Sequence, residues 1–488
     1  MIYPKQYLLN KKILLKGCLV CYHNGMKNFV WYIIGVAAMV FASSFLGLTA
    51  RQLGAVSGFS SIFFGAIFFW QYRLAFAFFG ISILLATGLI DVAHIVEFAG
   101  LEIILFLIGM MIIIGFLEEK KFFEHLVNKL IALVGMDGNR LVILMLVASF
   151  VSAALVDEVT SILFMSAAML NITSRYKLRP IPFIIMIVFA TNIGSSATVI
   201  GNPIGIIIAM RSGLGFMDFL RWAAPISIVV LIANIMLFFL YYSKPIAELR
   251  HALETHKRQR SALGDAQEEG PAPKGVVLSG IIFACTVLGL VFHSQVEHLI
   301  GLEKNSMLLG TALIGACAVL VISKEESRNI VEKRVDWWTL TFFLFLFASV
   351  GTLKYQGITG VIAQNISRTV GNNVPALMAI FVWTSGALTS VMDNVLAVAT
   401  FVPILKDIGA MGIPTFPLWW SILFGSTILG NLTIIGSTAN IVAIGVMEKR
   451  KLGLVGFWEW LKAGIVIAIP SLLIAHLLLF AQLRWMVR

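Results

Sequence analysis

The chain alternates long apolar runs with short polar stretches along nearly its whole length. A transmembrane helix needs about 20 consecutive apolar residues, and most of these runs have that length or more. The pattern therefore predicts an all-α polytopic membrane protein. The runs lie near residues 30–49, 52–70, 72–90, 100–117, 141–170, 181–210, 219–242, 275–292, 305–323, 337–353, 374–405, 417–446 and 458–483.

Four of these runs are interrupted, and they form two pairs. Residues 141–170 and 374–405 contain acids in mid-run, whereas 181–210 and 417–446 contain stretches rich in Gly, Asn and Thr. Non-helical backbone at membrane depth is tolerated only where it is buried in protein or lines a water-filled cavity. The first pair therefore predicts two re-entrant helical hairpins, and the second pair predicts two broken transmembrane helices.

The two halves of the chain repeat each other. The sequence FLIGMMIIIGFLEEKKF, which begins at Phe106, matches FLFLFASVGTLKYQGI, which begins at Phe343, when Gly115 is placed on Gly351. We call the interval from Gly115 to Gly351 the repeat spacing. At this spacing Asp157 in SAALVDEVTSILF falls on Asp393 in GALTSVMDNVLAV. At a spacing one residue shorter, TVIG from Thr198 falls on TIIG from Thr433. GFMDFLRW then matches GFWEWLKA. Four matches in the same order predict an internal repeat.

The Lys and Arg residues predict how the chain is oriented in the membrane. Suppose that the N-terminus is cytoplasmic, that eleven spans cross the membrane and that the two hairpins do not. Then 27 of the 36 Lys and Arg residues lie on the cytoplasmic side, as the positive-inside rule requires. The first hairpin then opens from the cytoplasm and the second from outside. The repeats are therefore expected to be inverted, as in many secondary transporters, in a cytoplasmic membrane.

The same pattern divides the chain into segments. Met26 is a candidate for the first residue of the native protein. The longest hydrophilic stretch is rich in charge, Gly and Pro, which is typical of a mobile linker. The expected segments are a cytoplasmic tail (1–29), an extra N-terminal transmembrane helix (30–51), a first inverted repeat (52–242), a cytoplasmic linker (243–274), a second inverted repeat (275–483) and a C-terminal tail (484–488).

Composition and motifs argue against several other classes of protein. Only 12% of the residues are charged, against about 25% in soluble domains. The net charge of +11 lies in short clusters between apolar runs, so no nucleic-acid partner is expected; the expected partner is the lipid bilayer. The sequence has no H-E-x-x-H and no P-loop motif, and a single C-x-x-C without a second pair. We therefore expect neither an enzyme nor a bound cofactor.

Acidic residues lie in the middle of both predicted hairpins. Asp157 and Glu158 have long apolar stretches on either side, and Asp393 with Asn394 repeats the arrangement. A charged side chain at membrane depth costs roughly 2.5–3.5 kcal/mol on insertion scales, so it must face a cavity, a cation or a partner. These acids are candidates for proton or cation exchange. Alternatively they cap the hairpin helices, whose N-termini favour anions, and the two roles can coexist.

The predicted broken helices carry TNIGSSATVIGNPIG (191–205) and GNLTIIGSTAN (430–440). Small and amide residues offer carbonyl and hydroxyl oxygens of the kind that bind Na⁺ in transporters; close helix packing through small residues is the alternative. The candidate ion-binding residues are Asp157, Glu158, Thr160, Asn192, Thr198, Asn202, Asp393, Asn394, Asn431, Thr433 and Asn440, with Na⁺ expected at Asp157, Asn192, Asp393 and Asn431.

In these segments the sequence resembles the ion transporter superfamily, above all arsenite permeases, NhaD-type sodium/proton antiporters and citrate-transporter-like proteins. The resemblance rests on DEVT at 157–160, TNIGSSATVIGNP, DWWTLTFFLFLF, MDNVLAVATFVP and GNLTIIGSTAN, and it covers about 30–483. It implies inverted repeats, each with a re-entrant hairpin and a broken helix. It further implies a homodimer with scaffold and transport domains that moves its substrate by an elevator-like displacement.

The sequence also departs from these relatives. Dicarboxylate transporters of the superfamily carry Ser-Asn-Thr at the hairpin tips, whereas here the tips are Asp157-Glu-Val and Asp393-Asn-Val; Asn202 stands where many relatives have Asp. Fixed negative charge at the tips would repel a dicarboxylate unless protons or Na⁺ neutralised it.

We therefore expect an ion-coupled secondary transporter of the Na⁺/H⁺ antiport type, with Na⁺ or H⁺ as the coupling ion. The alternatives of the same fold are arsenite efflux and transport of citrate or another small anion. The alternatives from other classes are an ion channel and a membrane-embedded enzyme.

Overall fold

A computed structural model describes residues 26–134, 137–263, 275–450, 452–453 and 455–486. All regular elements among these residues are helices, as the hydrophobic pattern predicts. The predicted N-terminal tail as far as residue 25, the second part of the predicted linker (264–274) and the last two residues of the C-terminal tail lie outside this description.

The helices follow one another with short connections, including 3₁₀ turns at Trp70–Tyr72, Lys324–Glu326 and Gly430–Leu432 and π turns at Phe219–Ala223 and Gly464–Ala468. In chain order they are α1 (Met26–Ser44), α2 (Ala50–Phe68), α3 (Arg73–Ala86), α4 (Val92–Phe98), α5 (Leu101–Glu119), α6 (Phe122–Val134), α7 (Gly138–Leu155), α8 (Glu158–Arg175), α9 (Ile181–Ser195), α10 (Pro203–Ser212), α11 (Phe216–Asp218), α12 (Ala224–Tyr241), α13 (Ser243–Leu263), α14 (Val276–Ile300), α15 (Ser306–Ser323), α16 (Ser327–Arg334), α17 (Trp337–Tyr355), α18 (Ile358–Val370), α19 (Val374–Thr389), α20 (Asn394–Ala410), α21 (Phe416–Leu429), α22 (Thr438–Lys449), α23 (Phe457–Ala463) and α24 (Ile469–Met486).

One compact unit comprises the described residues up to Gly100 together with Trp338–Ile362. Within it α2 packs against α3. The Gln52 side chain donates to the backbone carbonyl of Gln356 at 2.9 Å, and the Gln356 side chain donates to the carbonyl of Leu89 at 2.8 Å. These bonds join the end of α17 to α2 and to the turn that follows α3.

The second unit comprises Leu101–Trp337 and the described residues from Ala363 onward, and it contains every candidate ion-binding residue. In this unit α7 packs along α9, and α19 packs along α21. Every residue of α9 and all but the first of α21 is buried. Helices that are apolar on all sides belong in a protein core, so these two helices form the centre on which the hairpins pack.

Helices recur at the spacing of the sequence repeat. The starts of α5 and α17, of α6 and α18, of α7 and α19, and of α8 and α20 are each separated by the repeat spacing, and those of α9 and α21, and of α10 and α22, by one residue less. Both predicted hairpins are helix–turn–helix units, and both predicted broken helices are interrupted. The inversion of the two halves relative to the membrane stays a prediction.

Eight helical segments among the described residues are long and apolar enough to cross a membrane. They are Met26–Ser44, Leu101–Glu119, Gly138–Leu155, Phe216–Tyr241, Val276–Ile300, Ser306–Arg334, Trp337–Tyr355 and Phe457–Met486, and shorter apolar helices cover Trp70–Ala86, Ile181–Ser195, Pro203–Ser212 and Val374–Thr389. Their length and composition are those of membrane-spanning helices, and the count of eleven spans stays a prediction.

Two predicted boundaries differ from the structure. The first part of the predicted linker is helix α13, because Ala, Leu, Glu, Lys and Arg favour a helix and most of the Gly and Pro residues come after it. The predicted N-terminal helix (30–51) is α1, which ends at Ser44. The Thr49 side chain then caps a new helix, α2, through a capping box with Gln52.

Candidate functional site

The first hairpin turns at Asp157-Glu158, which we call the first tip. Helix α7 ends at Leu155, and α8 begins at Glu158. Asp157 is the N-cap of α8, and its Oδ1 accepts hydrogen bonds from the backbone N–H groups of Val159 and Thr160, both at 2.8 Å. A carboxylate at this position satisfies N–H groups that a helix start leaves free. Asp157 therefore has the capping role that the sequence leaves open.

The second hairpin turns at Asp393-Asn394, which we call the second tip. Asp393 is the N-cap of α20 and accepts from the N–H of Val395 at 2.9 Å. Its other oxygen, Oδ2, accepts from the Thr438 hydroxyl at 2.6 Å. Because Thr438 begins α22, this acid also joins the second hairpin to the second broken helix.

The two tips meet at Glu158. Asn394 donates through Nδ2 to Glu158 Oε1 at 3.3 Å, and the Ser195 hydroxyl donates to Oε2 at 3.3 Å. Glu158 and Asn394 are each only 2% exposed. The Asn394 Oδ1 atom, also buried, has no hydrogen-bond partner among the described residues. A buried carboxylate and an unpaired carbonyl oxygen thus lie side by side at the point where the halves converge.

The acids of the two tips form an electrostatic group. The Glu158 carboxylate interacts electrostatically with those of Asp157 and Asp393. Among the described residues, no Lys, Arg or His forms a hydrogen bond or an ion pair with any of the three. A buried carboxylate without a positive partner is costly unless it is protonated or binds a cation.

Three buried amides form a second polar cluster across the broken helices. Asn192 donates through Nδ2 to Asn431 Oδ1 at 2.6 Å and to Asn440 Oδ1 at 2.9 Å. The Ser437 hydroxyl donates to Asn192 Oδ1 at 3.2 Å, and Asn440 donates to the carbonyls of Gly430 and Thr433. The cluster therefore holds the break of the second helix against the intact part of the first.

Ser195 connects the tips to the first broken helix. Asn202 caps α10 by accepting from the N–H of Gly205 at 2.8 Å, and it donates through Nδ2 to the Ser195 hydroxyl oxygen at 2.8 Å. The single proton of that hydroxyl is shared between the backbone carbonyl of Asn192 at 2.9 Å and Glu158 Oε2 at 3.3 Å. Asn202 is therefore one hydrogen bond removed from the buried acid, and it positions Ser195 rather than touching the carboxylate.

In each half, one threonine joins the broken helix to the hairpin of the same half by a hydrogen bond. The Thr198 hydroxyl donates to the carbonyl of Ala154, and the Thr433 hydroxyl donates to the carbonyl of Ser390. The two donors occupy equivalent positions in the repeat, and so do the two acceptors, so the contact repeats. These hydroxyls bind the backbone of the hairpins, and an ion-binding role for Thr198 and Thr433 stays a prediction.

Direct hydrogen bonds join some of the predicted residues and not others. Glu158 meets Asn394, and Asn192 meets Asn431 and Asn440. The set expected for Na⁺ divides between two clusters, since no hydrogen bond of the described residues links Asp157 or Asp393 to Asn192 or Asn431. No group of three or more His, Cys, Asp or Glu residues in the described ranges is arranged to hold one metal ion.

The sequence analysis did not select Ser195, Ser437 and Thr438, which the structure places in the network. The repeat could have indicated Ser437, because this residue occupies the repeat position of Asn202 and caps α22 as Asn202 caps α10. Ser195 and Thr438 stand on repeat positions occupied by Gly430 and Pro203, which have no polar side chain, so the repeat could not indicate them.

Comparison with known proteins agrees with this architecture. Residues 63–425 match the citrate transporter family, CitMHS. An uncharacterized transporter of Mycobacterium bovis is 32% identical over 385 residues, which are 78% of this chain and 86% of that protein. The P protein of Mus musculus is 26% identical over 520 residues, which cover 90% of this chain and 62% of the mouse protein.

The fold has a solved counterpart. The crystal structure of the Alcanivorax borkumensis YdaH transporter, described as having an unusual topology, superposes with a TM-score of 0.55. The superposition covers 83% of this chain and 89% of that one at 16% identity, so the likeness concerns the fold. With the family match across most of its length, the chain belongs to the citrate transporter (CitMHS) family of the ion transporter superfamily and is a membrane transporter.

Proposed function

We propose that the protein is a cation-coupled secondary transporter of the Na⁺/H⁺ antiport type, with Glu158 as the exchanging group. One observation carries the proposal: Glu158 is buried where the two hairpin tips meet, beside an unpaired amide oxygen and without a positively charged partner among the described residues. Such a carboxylate is stable when it holds a proton or a small cation, and unstable when it holds neither.

The proposed exchange uses one carboxylate for two ligands. Na⁺ takes oxygen ligands, and we expect them to come from the Glu158 carboxylate, the Ser195 hydroxyl that contacts it, and the unpaired Oδ1 of the Asn394 amide. When Na⁺ binds, the proton of Glu158 leaves to solvent, and when a proton returns, Na⁺ dissociates. Because both ligands cannot occupy the carboxylate together, each crossing of Na⁺ is coupled to a proton crossing in the opposite direction.

Alternating exposure of this site to the two sides would complete the cycle. The resemblance to elevator-type members of the superfamily leads us to propose that the hairpins and broken helices move together as a transport domain within a homodimer. The hydrogen bonds of Thr198 and Thr433 to the hairpins support such a joint movement, because they link each hairpin to its own broken helix.

The family name favours a second candidate, transport of citrate. Citrate carries three carboxylates, and the tips present Asp157, Glu158 and Asp393 without a basic partner among the described residues. Repulsion between like charges disfavours the free anion at this place. Citrate could therefore bind here only together with cations that neutralise these acids.

One experiment separates these functions. Purified protein in liposomes is given a Na⁺ gradient, proton movement is followed with a trapped pH dye, and uptake of labelled citrate is measured in parallel. We expect Na⁺-dependent proton movement in the wild type and its loss in Glu158→Gln, because the amide cannot exchange a proton. Glu448→Gln, an exposed position on α22, is the matched control.

Citrate uptake without Na⁺-linked proton movement would contradict antiport and support the second candidate. Undiminished proton movement in Glu158→Gln would remove Glu158 from the mechanism. Arsenite efflux, the other alternative, should be independent of the Na⁺ gradient.

A further inference from the structure

The contact between Glu158 and Asn394 joins residues that occupy the same position in the two halves of the chain. Glu158 is the first residue of α8, Asn394 is the first residue of α20, and the repeat spacing separates them. Asn394 Nδ2 donates to Glu158 Oε1 at 3.3 Å, and both side chains are buried. Each residue is therefore in contact with its own counterpart from the other half.

The helices around this contact pack on one another reciprocally. Helix α10 of the first half packs against α20 of the second half, and its counterpart α22 packs against α8, the counterpart of α20. In the same way α10 packs against α21, and α22 packs against α9. Contacts that recur with the two partners exchanged are typical of a two-fold relation between them.

Two aromatic contacts follow the same rule. Phe219 and Trp460 occupy matching positions in GFMDFLRW and GFWEWLKA. The centre of the Phe219 ring lies 4.9 Å from that of Trp420 on α21, and the centre of the Trp460 ring lies 5.9 Å from that of Phe189 on α9. Each side chain thus packs on the broken helix of the opposite half. Under such a two-fold relation, a residue that contacts its own counterpart lies at the axis.

We propose that positions 158 and 394 form one ion site on this two-fold axis, and that Asn394 limits the site to a single exchangeable cation. The pair consists of one carboxylate and one amide, so it offers oxygens from both halves but only one negative charge. The assignment rests on the proposed cation exchange at Glu158 and extends it to the number of charges that the site carries. Asn394 is then the residue that determines the stoichiometry.

A purely positioning role for Asn394 makes a different prediction. If the amide only orients the Glu158 carboxylate through its hydrogen bond, the carboxylate must stay at position 158. If the two positions are halves of one axial site, a carboxylate at either position can exchange the cation. The two roles therefore differ in what happens when the charge is moved across the axis.

The test moves the charge without changing the shape of the pair. Glu158→Gln combined with Asn394→Asp exchanges isosteric groups, so one carboxylate and one amide still face each other. In the liposome assay we expect Glu158→Gln alone to be inactive and the double variant to regain Na⁺-dependent proton movement. The half-saturating Na⁺ concentration should rise about tenfold, because the Ser195 hydroxyl then faces an amide and its bond to a charged group is lost.

Glu158→Gln combined with Asn202→Asp is the matched control. Asn202 is as deeply buried as Asn394, and its side chain bonds to Ser195, which contacts Glu158. Asp replaces Asn well at a helix N-cap, which is the position of Asn202 in α10. The control therefore adds the same charge close to the site but off the axis, and it should stay inactive. Recovery in the control as well would contradict the axial site, because any nearby carboxylate would then suffice.

The wild type provides a second test, which depends on no variant. A carboxylate that carries Na⁺ in one direction and a proton in the other has the same net charge both ways, so a single-cation site makes the exchange electroneutral. Net proton movement should stop when the proton ratio across the membrane equals the Na⁺ ratio. A membrane potential imposed with K⁺ and valinomycin should leave this balance point unchanged.

Each result decides a different point. If the wild type moves no protons in response to Na⁺, the proposed antiport fails and the axial site fails with it. If the wild type is active but its balance point shifts with the membrane potential, the Na⁺ and proton charges that cross are unequal, and the single-cation site alone is wrong. If the double variant unfolds at the wild-type temperature yet is inactive, positions 158 and 394 are not equivalent and Asn394 only positions Glu158.

Discussion

At the scale of single residues, adjacent acids in the first tip have different surroundings. Asp157 uses one oxygen to accept two backbone N–H groups, which is the work of a helix cap. Glu158, the next residue, points instead to Asn394 and Ser195, which belong to other elements. Local hydrogen bonds thus satisfy the first acid, while the second depends on the tertiary fold and on what binds to it.

This difference gives a prediction for the caps. Asn caps a helix about as well as Asp, whereas Ala lowers stability by about 0.5–2 kcal/mol. We expect Asp157→Asn and Asp393→Asn to keep the thermal stability of the purified protein, and the corresponding Ala variants to lower it. If the acids also serve ion exchange, the Asn variants should lose Na⁺-dependent proton movement with the fold intact.

The control is Asp137→Asn, a cap of α7 whose side chain accepts only from Asn139 and Arg140 among the described backbone N–H groups. It should keep both stability and transport. Full activity of the Asp157→Asn and Asp393→Asn variants would reduce both acids to caps and leave Glu158 as the exchanging group.

Sequence reasoning reached these residues only in part. Charged residues inside an apolar run are unusual, so Asp157, Glu158 and Asp393 could be selected before any fold was known. The sequence could not show which of these acids faces the other half of the chain, because successive side chains in the first turn of a helix point in directions about 100° apart. The meeting of Glu158 with Asn394 depends on how two hairpins pack.

At the scale of helices, two glycines set the breaks in the broken helices. A Cβ on Gly201 would overlap the carbonyl of Ser195, and one on Gly436 would overlap the carbonyl of Gly430. The chain crosses closely over the end of the preceding helix in both halves, and only glycine leaves room for it. In the first half the residue that is crossed, Ser195, is also the one whose hydroxyl contacts Glu158.

We predict that Gly201→Ala and Gly436→Ala each destabilise the protein by about 1–3 kcal/mol, as overpacking does, because the obstacle is backbone and cannot rotate away. Thermal unfolding in detergent measures the change. Gly445→Ala is the control, since nothing lies within 4 Å of its Cβ position in α22. Unchanged stability in both test variants would mean that the breaks tolerate a wider crossing.

The breaks themselves could be predicted from the sequence, whereas their internal contacts could not. Glycine and amide residues within an apolar run indicate interrupted helix, and α9 and α21 do end there. The interlocking of Asn192 with Asn431 and Asn440 joins residues from opposite halves of the chain. Local pattern carries no information on such pairs, and the repeat aligns Asn192 with Thr427 instead.

At the scale of the whole molecule, the repeat extends beyond the site to the surface helices. α6 and α18 have the same length, and their starts are separated by the repeat spacing. Each places apolar residues on one face and polar residues on the other, which is typical of helices that lie in the membrane interface. Equivalent helices in the two halves are therefore expected to lie on the side of the membrane from which each hairpin enters.

This correspondence allows the predicted inversion to be tested directly. Asn128 on α6 and Gln364 on α18 occupy equivalent repeat positions, and both are exposed. The Lys and Arg distribution predicts that α6 faces the cytoplasm and α18 the outside. In a cysteine-free background, a membrane-impermeant maleimide should label Gln364→Cys on intact cells and label Asn128→Cys only after the membrane is opened. Labelling of both from one side would make the repeats parallel, and then the two tips could not meet from opposite sides of the membrane. The reverse pattern would keep the inversion but place the N-terminus outside.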